Sequence, residues 1–105
     1  MNSRIEQLLE FIEEDSNDVF SRYALALEYW NLNQLEEAKS SFYKVLEIDK
    51  EYLAVYYHLG KTLQVTNEID DALSIFKQGI EVAQKQNNHK TKAELLTAID
   101  ELEDL

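Results

Sequence analysis

The feature that most constrains the fold of this 105-residue chain is an internal repeat with a period of 34 residues. When residues 19–52 are placed over residues 53–86 without a gap, seven of the 34 positions are identical. Unrelated segments of average composition would share about two. The identical pairs are Tyr23/Tyr57, Leu25/Leu59, Asn33/Asn67, Ala38/Ala72, Ser40/Ser74, Phe42/Phe76 and Glu47/Glu81. A fixed period of this size is typical of stacked supersecondary units, each of which buries its apolar face against a neighbour.

Apolar residues inside each unit recur at the spacing of an α-helix, and the start of the first unit shows two apolar stripes. One stripe holds Leu25, Tyr29 and Leu32, and the opposite stripe holds Phe20, Tyr23, Leu27 and Trp30. A helix that is apolar on nearly all sides must be covered on several sides. The chain has no proline and only two glycines, which also favours helices.

The periodic segments and the turn-forming residues between them predict six helices. These helices are expected over residues 3–14, 19–31, 35–47, 53–65, 69–83 and about 91–104. Asn33 and Asn67 follow two of the helices, at positions where a left-handed residue commonly ends a helix. Thr91, with Glu94 three residues later, is expected to cap the last helix.

Each unit carries small and aromatic residues in a fixed order. The residues are Arg22, Leu25, Ala26, Tyr29, Ala38 and Phe42 in the first unit, and Tyr56, Leu59, Gly60, Leu63, Ala72 and Phe76 in the second. This order resembles the tetratricopeptide repeat family, whose 34-residue pattern is W-x2-L-G-x2-Y, then A-x3-F, then P. Arg22 departs from the tryptophan of that pattern, and Lys50 and Gln84 depart from its proline.

The resemblance implies an all-α fold in which antiparallel helix pairs stack as a short right-handed α-solenoid of about six helices. We expect a single domain over residues 1–105. It consists of an N-terminal half-repeat helix (1–18), a first repeat (19–52), a second repeat (53–86) and a C-terminal capping helix (87–105). Two full units with two half units approach the three units that such arrays need.

Composition and charge exclude several classes of function. The net charge of −11 disfavours nucleic acid and anionic membrane surfaces, because both are polyanions. This charge serves solubility, or it reflects a preference for a basic partner. The chain has no cysteine, which excludes disulfides and thiolate metal sites. Since no apolar run approaches a membrane span of about 20 residues, and the start does not read as a secretory signal, we expect a cytoplasmic protein.

The sequence predicts no catalytic, cofactor-binding or metal-binding residues, and therefore no enzyme. His58 and His89 are the only histidines, and neither has a companion at the spacing of a metal site or a catalytic triad. Acidic residues that are adjacent in sequence diverge on a helix and form no carboxylate pair. The two glycines are isolated, so there is no phosphate-binding loop.

The resemblance also implies a partner-binding groove. In the tetratricopeptide repeat family, the first helix of each unit lines the concave side of the superhelix. The groove residues implied here are Phe20, Tyr23, Leu27, Trp30, Tyr57, Lys61 and Gln64. Tyrosine and tryptophan are good anchors, because they offer a large contact area at a low entropy cost. For Phe20 and Leu27, packing in the core is an equal alternative.

These residues predict a non-enzymatic interaction module or scaffold that binds a peptide or helix of another protein in its concave groove. Some members of the family bind the carboxylate of chaperone tails through lysine and asparagine. Here Tyr23, Leu27 and His58 occupy the matching positions, so we do not expect that ligand. The alternative is a structural protein that uses the apolar stripe to form a homodimer, and both a monomer and a homodimer are compatible with the sequence.

Overall fold

The computed structural model describes residues 3–104, and every regular element in this part of the chain is an α-helix. The helices are α1 (Ser3–Glu14), α2 (Val19–Asn31), α3 (Leu35–Ile48), α4 (Ala54–Val65), α5 (Ile69–Lys85) and α6 (His89–Glu103). The prediction of an all-α fold with about six helices is confirmed. The predicted terminal segments include residues 1, 2 and 105, which lie outside the described part.

Three helices end in the same hydrogen-bonded turn, with an asparagine at its left-handed position. The φ angle is 59° at Asn33, 63° at Asn67 and 56° at Asn87. After α2, the N–H of Asn33 donates to the Trp30 carbonyl, and the next N–H donates to the Tyr29 carbonyl. This pair of bonds satisfies carbonyl groups that the helix end leaves without partners. The predicted roles of Asn33 and Asn67 are confirmed, and Asn87 adds a third turn within a predicted loop.

The start of α6 differs from the sequence prediction, which placed the cap at Thr91. The helix begins at His89, and its N-cap is Asn88, whose Oδ1 accepts the Thr91 N–H at 3.0 Å. Asparagine caps a helix at least as well as threonine. The turn at Asn87 leaves Asn88 as the first residue after it that can cap a helix. The helix therefore starts earlier than the apolar pattern indicates.

The chain divides into two compact units, Met1–Lys50 and Glu51–Leu105. The division falls two residues before the predicted boundary between the repeats. The first unit contains α1 to α3, and the second contains α4 to α6. The single domain and the repeat limits that the sequence suggests stay a prediction.

The core of the first unit lies around α2, which packs against both α1 and α3. Its buried apolar residues are Leu8, Leu25, Ala26, Ala38, Phe42 and Val45. Ala38 and Phe42, which stand at the alanine and phenylalanine positions of the repeat pattern, have no exposed surface. Small residues allow the close approach of two helices, and the aromatic ring fills the space beside that crossing.

The core of the second unit lies around α5, which packs against α4 and α6. Its fully buried apolar residues include Val55, Leu59, Ala72, Phe76, Ala83 and Leu95. Both glycines of the chain lie at close approaches in this unit. A Cβ atom at Gly60 would overlap the Phe76 ring, and one at Gly79 would lie 2.6 Å from the Tyr56 Cβ. Gly60 stands at the glycine position of the repeat pattern, whereas no part of that pattern indicates the close approach at Gly79.

The burial of the two crossing alanines leads to a stability prediction. Ala38 and Ala72 are fully buried, so substituting either with leucine must push two helices apart. We expect Ala38→Leu or Ala72→Leu to lower the free energy of unfolding by about 1–3 kcal/mol. Ala54→Leu serves as the control, because Ala54 is exposed on α4. Urea denaturation measures all three, and equal stability of the three variants would contradict the helix crossings.

A second prediction concerns the cap of α2. The Asp18 carboxylate accepts the Ser21 hydroxyl at 2.6 Å and the Ser21 N–H at 3.0 Å. These two bonds, the hydroxyl first, hold the pKa of the Asp18 carboxyl below its usual range. We expect Asp18→Ala to lower the free energy of unfolding by about 1 kcal/mol at neutral pH.

This effect should depend on pH in a defined direction. A lowered folded-state pKa means that the carboxylate stabilises the fold above the unfolded pKa of about 4. That contribution is lost as the pH falls through the folded-state value. The difference between wild type and Asp18→Ala should therefore shrink in acid. The control is Glu10→Gln, which removes an exposed charge from α1 and should show no loss of stability from capping. A stability difference between wild type and Asp18→Ala that does not change with pH would rule out a charged cap at Asp18.

Candidate functional site

Four of the predicted groove residues lie on α2, on the side opposite the buried Leu25, while the buried Ala26 lies one turn from Tyr23 and one turn from Trp30. We call Phe20, Tyr23, Leu27 and Trp30 the α2 surface. The buried residues of α2 are Ser21, Leu25 and Ala26, and none of the four surface residues is fully buried. Phe20 is 67% exposed, so the alternative that it belongs to the core is wrong. Leu27 is half-buried, at the margin of the core.

Tyr23 connects the α2 surface to the core of its unit. Its ring centroid lies 6.0 Å from that of the buried Phe42, with an angle of 52° between the ring planes. Aromatic pairs at this separation are attractive. The contact holds one side of the tyrosine ring against α3, while the side chain as a whole stays only half-buried. A partner would therefore meet a ring whose position is already fixed.

The other three predicted residues lie on α4 in the second unit. We call Tyr57, Lys61 and Gln64 the α4 surface, and all three are half-buried. The Lys61 Nζ atom lies 5.6 Å from the centroid of the Tyr57 ring and 3.6 Å from Oε2 of Glu101 on α6. The sequence places Tyr57 and Lys61 in the same predicted groove, but it gives no signal that Glu101 pairs with Lys61, because these two residues lie 40 positions apart.

Gln64 differs from the other residues of the α4 surface. Its Oε1 atom is buried and accepts no hydrogen bond from the residues that the structure describes. Part of this side chain therefore lies inside the protein. An unsatisfied buried oxygen costs free energy, so Gln64 is less suited to surface contact than Tyr57.

A small pocket of about 160 Å³ lies beside the α4 surface, within the second unit. Its lining residues are Ala54, Tyr57, His58, Thr91 and Glu94. The His58 Nδ1 atom lies 3.3 Å from the Ala54 carbonyl oxygen, and since that oxygen can only accept, Nδ1 carries the proton. The ring of His58 stands edge-on to the Tyr57 ring at 5.7 Å. The sequence places His58 at a position that matches a carboxylate-binding residue of some family members, but it does not predict this pocket.

A larger cavity of about 480 Å³ lies in the first unit, beside the turn before α2. Arg22 and Lys44 line it, but both are already engaged: Arg22 Nε donates to the Ser16 carbonyl at 2.7 Å, and Lys44 pairs with Glu47 at 3.0 Å. In the second unit, the position that corresponds to Arg22 holds the buried Tyr56. The cavity thus marks the place where the first unit departs from the aromatic residue of the repeat pattern.

Glu51 and Lys85, whose pKa values are clearly shifted, lie outside both surfaces. Their side chains form a 2.8 Å ion pair on the surface of the second unit. The hydrogen bond between them lowers the pKa of Glu51 and raises the pKa of Lys85. These shifts have structural causes and do not point to an acid–base site.

The described residues contain neither a metal-ligand cluster nor a membrane-spanning helix. Over residues 3–104, no three His, Cys, Asp or Glu side chains are grouped so that they could hold a metal ion. In the same part of the chain, no helix is both long enough and apolar enough to cross a membrane.

Comparisons with known proteins agree with the repeat pattern. The model of the tetratricopeptide repeat family matches residues 29–99, more than half of the chain. A crystal structure of a tetratricopeptide repeat domain protein from Salinibacter ruber is 39% identical, with a TM-score of 0.79. The match covers 84% of this chain and 98% of that one. A search of curated proteins found no match.

More distant structures share the fold. The TPR2B domain of yeast Sti1, solved in a complex with pHsp70, has a TM-score of 0.88 at 17% identity, over 95% of this chain and 80% of that one. YrrB, described as a TPR protein with an unusual peptide-binding site, has a TM-score of 0.66 at 23% identity, over 95% of this chain and 59% of that one. The family match over residues 29–99 and the Salinibacter relative confirm the predicted resemblance, and the chain belongs to the tetratricopeptide repeat family.

Proposed function

We propose that this protein is a non-enzymatic interaction module that binds a peptide or helix of another protein through the α2 surface and the α4 surface. The observation that carries the proposal is the exposure of the α2 surface. Phe20 is 67% exposed, and Tyr23, Leu27 and Trp30 each keep part of their surface accessible. The tetratricopeptide repeat fold and the peptide or protein ligands named for YrrB and for the Sti1 domain support it.

The energetics favour a docking role for these side chains. An exposed phenylalanine gains about 1.5–3 kcal/mol when a partner buries it fully, and Phe20 has most of its surface available. Tyr23 and Trp30 are already partly held by the fold, so binding would restrict few additional rotations. Aromatic residues of this kind carry a large share of the free energy at many interfaces.

The alternative proposal is that the α2 surface mediates homodimer formation. The 67% exposure of Phe20 also fits this function, because an apolar patch can be covered by a second copy. The charge argues against it, since two chains of net charge −11 repel each other. A partner with a basic surface fits the negative charge of the chain better. We further propose that the protein works in the cytoplasm.

The experiment compares wild type with Trp30→Ala and Tyr43→Ala as immobilised baits in native lysate. We expect Trp30→Ala to fold and to lose the protein that wild type retains. Its affinity for that protein, once purified, should fall by about 2 kcal/mol or more, as expected for a buried aromatic anchor. Tyr43→Ala is the matched control, because Tyr43 is a 38% exposed aromatic residue on α3, outside both surfaces, and should retain the partner.

Unfolding and mass measurements decide between the remaining outcomes. If Trp30→Ala lost about 3–5 kcal/mol of stability, as core aromatic residues do on truncation, Trp30 would be a core residue and the proposal would lose its main anchor. If wild type sedimented as a dimer and Trp30→Ala as a monomer, the alternative proposal, that the α2 surface mediates homodimer formation, would be correct. If Trp30→Ala retained the partner as well as wild type does, the proposal that the α2 surface binds this partner would be refuted.

A further inference from the structure

We propose that the pocket beside the α4 surface receives an arginine side chain of the partner protein. This inference rests on the proposed function, because it names one side chain that the partner brings to the α4 surface. The pocket is small: its volume of about 160 Å³ is close to that of a protein cavity of about 150 Å³ that holds one benzene molecule. It therefore suits one side chain and not a folded element.

The lining of the pocket matches the chemistry of a guanidinium group. Tyr57, His58 and Glu94 line it, and their side chains end in two rings and a carboxylate. A planar guanidinium stacks on aromatic faces and forms paired hydrogen bonds with a carboxylate. The methyl group of Ala54 leaves room for the aliphatic part of an arginine side chain.

Charge pairing in the second unit favours a cation over an anion. Lys61, the cation nearest the Tyr57 ring, is paired with Glu101 at 3.6 Å, so its charge is offset. Within residues 3–104, by contrast, no ion pair or hydrogen bond engages the Glu94 side chain. The net charge of −11 adds a long-range attraction for basic partners. A carboxylate of a partner would instead face the charge of Glu94.

The test uses the full-length ¹⁵N-labelled protein and Nα-acetyl-argininamide as the probe, followed by NMR in 150 mM salt. We expect saturable shifts of backbone amides at residues 54–58 and 91–94, with a dissociation constant of about 1 mM for so small a ligand. Nα-acetyl-citrullinamide, which has the same shape without the charge, should bind about fivefold more weakly or not at all. Nα-acetyl-lysinamide should also bind more weakly, because an ammonium group cannot stack or pair in the same way.

Two variants distinguish binding in the pocket from a general effect of the negative charge of the chain. Glu94→Gln should weaken the binding of Nα-acetyl-argininamide about fivefold. Glu103→Gln removes the same charge from an exposed position of the same helix and should leave the binding unchanged. Both positions are exposed, so both variants should fold, as their amide spectra will show.

Several results would overturn the inference. They are equal binding of the arginine and citrulline compounds, equal binding of the arginine and lysine compounds, an equal loss in both variants, or tighter binding of the α-amide of Nα-acetylglutamic acid, which carries a side-chain carboxylate, at the same backbone amides. The outcome is separate from that of the proposed function. If the arginine compound fails to bind but Trp30→Ala still loses the partner, only the inference is wrong. If Trp30→Ala retains the partner, the proposed function is wrong whatever the pocket binds.

Discussion

A chain shortened to residues 1–87 is expected to unfold with a free energy several kcal/mol smaller than that of the full chain. The deletion removes α6, whose apolar side chains Leu95, Ile99 and Leu102 are at most 7% exposed. Each such side chain contributes about 1.5–3 kcal/mol through burial, partly offset by the entropy of ordering the helix. The deletion also uncovers the α5 residues against which α6 packs. Urea denaturation followed by circular dichroism measures the difference.

Two adjacent leucines of α6 provide the control for this prediction. Leu95 is fully buried, whereas Leu96 is 44% exposed. Leu95→Ala should cost about 2–5 kcal/mol, as large-to-small substitutions in a core do, and Leu96→Ala should cost far less. An unchanged unfolding curve for the shortened chain, together with equal effects of the two point variants, would show that α6 does not stabilise the second unit.

We expect Gly79→Val to lower the free energy of unfolding by about 2–3 kcal/mol. Even a single Cβ atom at Gly79 would lie 2.6 Å from the Tyr56 Cβ and 3.0 Å from the Leu95 Cδ1. Both neighbours are buried and cannot move aside without displacing α4 or α6. Valine favours a helix more than glycine does, but that gain is smaller than the cost of overpacking. Thermal or urea denaturation measures the effect.

The control for Gly79→Val is Gln78→Val on the same helix. Gln78 is exposed, and its only hydrogen bond among the described residues joins it to Ser74 on the surface. Substituting it with valine should change the stability by no more than about 0.5 kcal/mol. If the two variants are equally stable, α5 does not approach α4 and α6 as closely as Gly79 implies.

The sequence predicts the helices well because their signals are local. The 3.6-residue periodicity, the turn formers and the asparagines at the helix ends all act within a few residues of the structure they specify. The bounds of α1 and α2 agree with the predicted ones. The sequence does not predict the cap of α6 correctly, because two polar signals three residues apart, Asn88 and Thr91, compete there. Only the turn geometry at Asn87 decides between them.

The candidate site was harder to predict because its details depend on residues far apart in the sequence. Periodicity places Phe20 and Leu27 on one side of α2, but it does not show whether that side is covered. The pairing of Lys61 with Glu101 and the pocket beside Tyr57 require α6 to lie near α4, which no local pattern specifies. Gly79 was missed for another reason: the first unit has Val45 at the same repeat position, so the repeat pattern gives no sign that this position needs a small residue.

The central claim is that the α2 surface binds another protein, and the fluorescence of Trp30 tests it most directly. Trp30 is the only tryptophan and is half-buried in the free protein. A tryptophan-free peptide of the captured partner should shift its emission to the blue as the indole loses water, with a midpoint equal to the dissociation constant measured independently. Emission that stays unchanged at saturating peptide would contradict the claim, because the partner would then bind elsewhere on the protein.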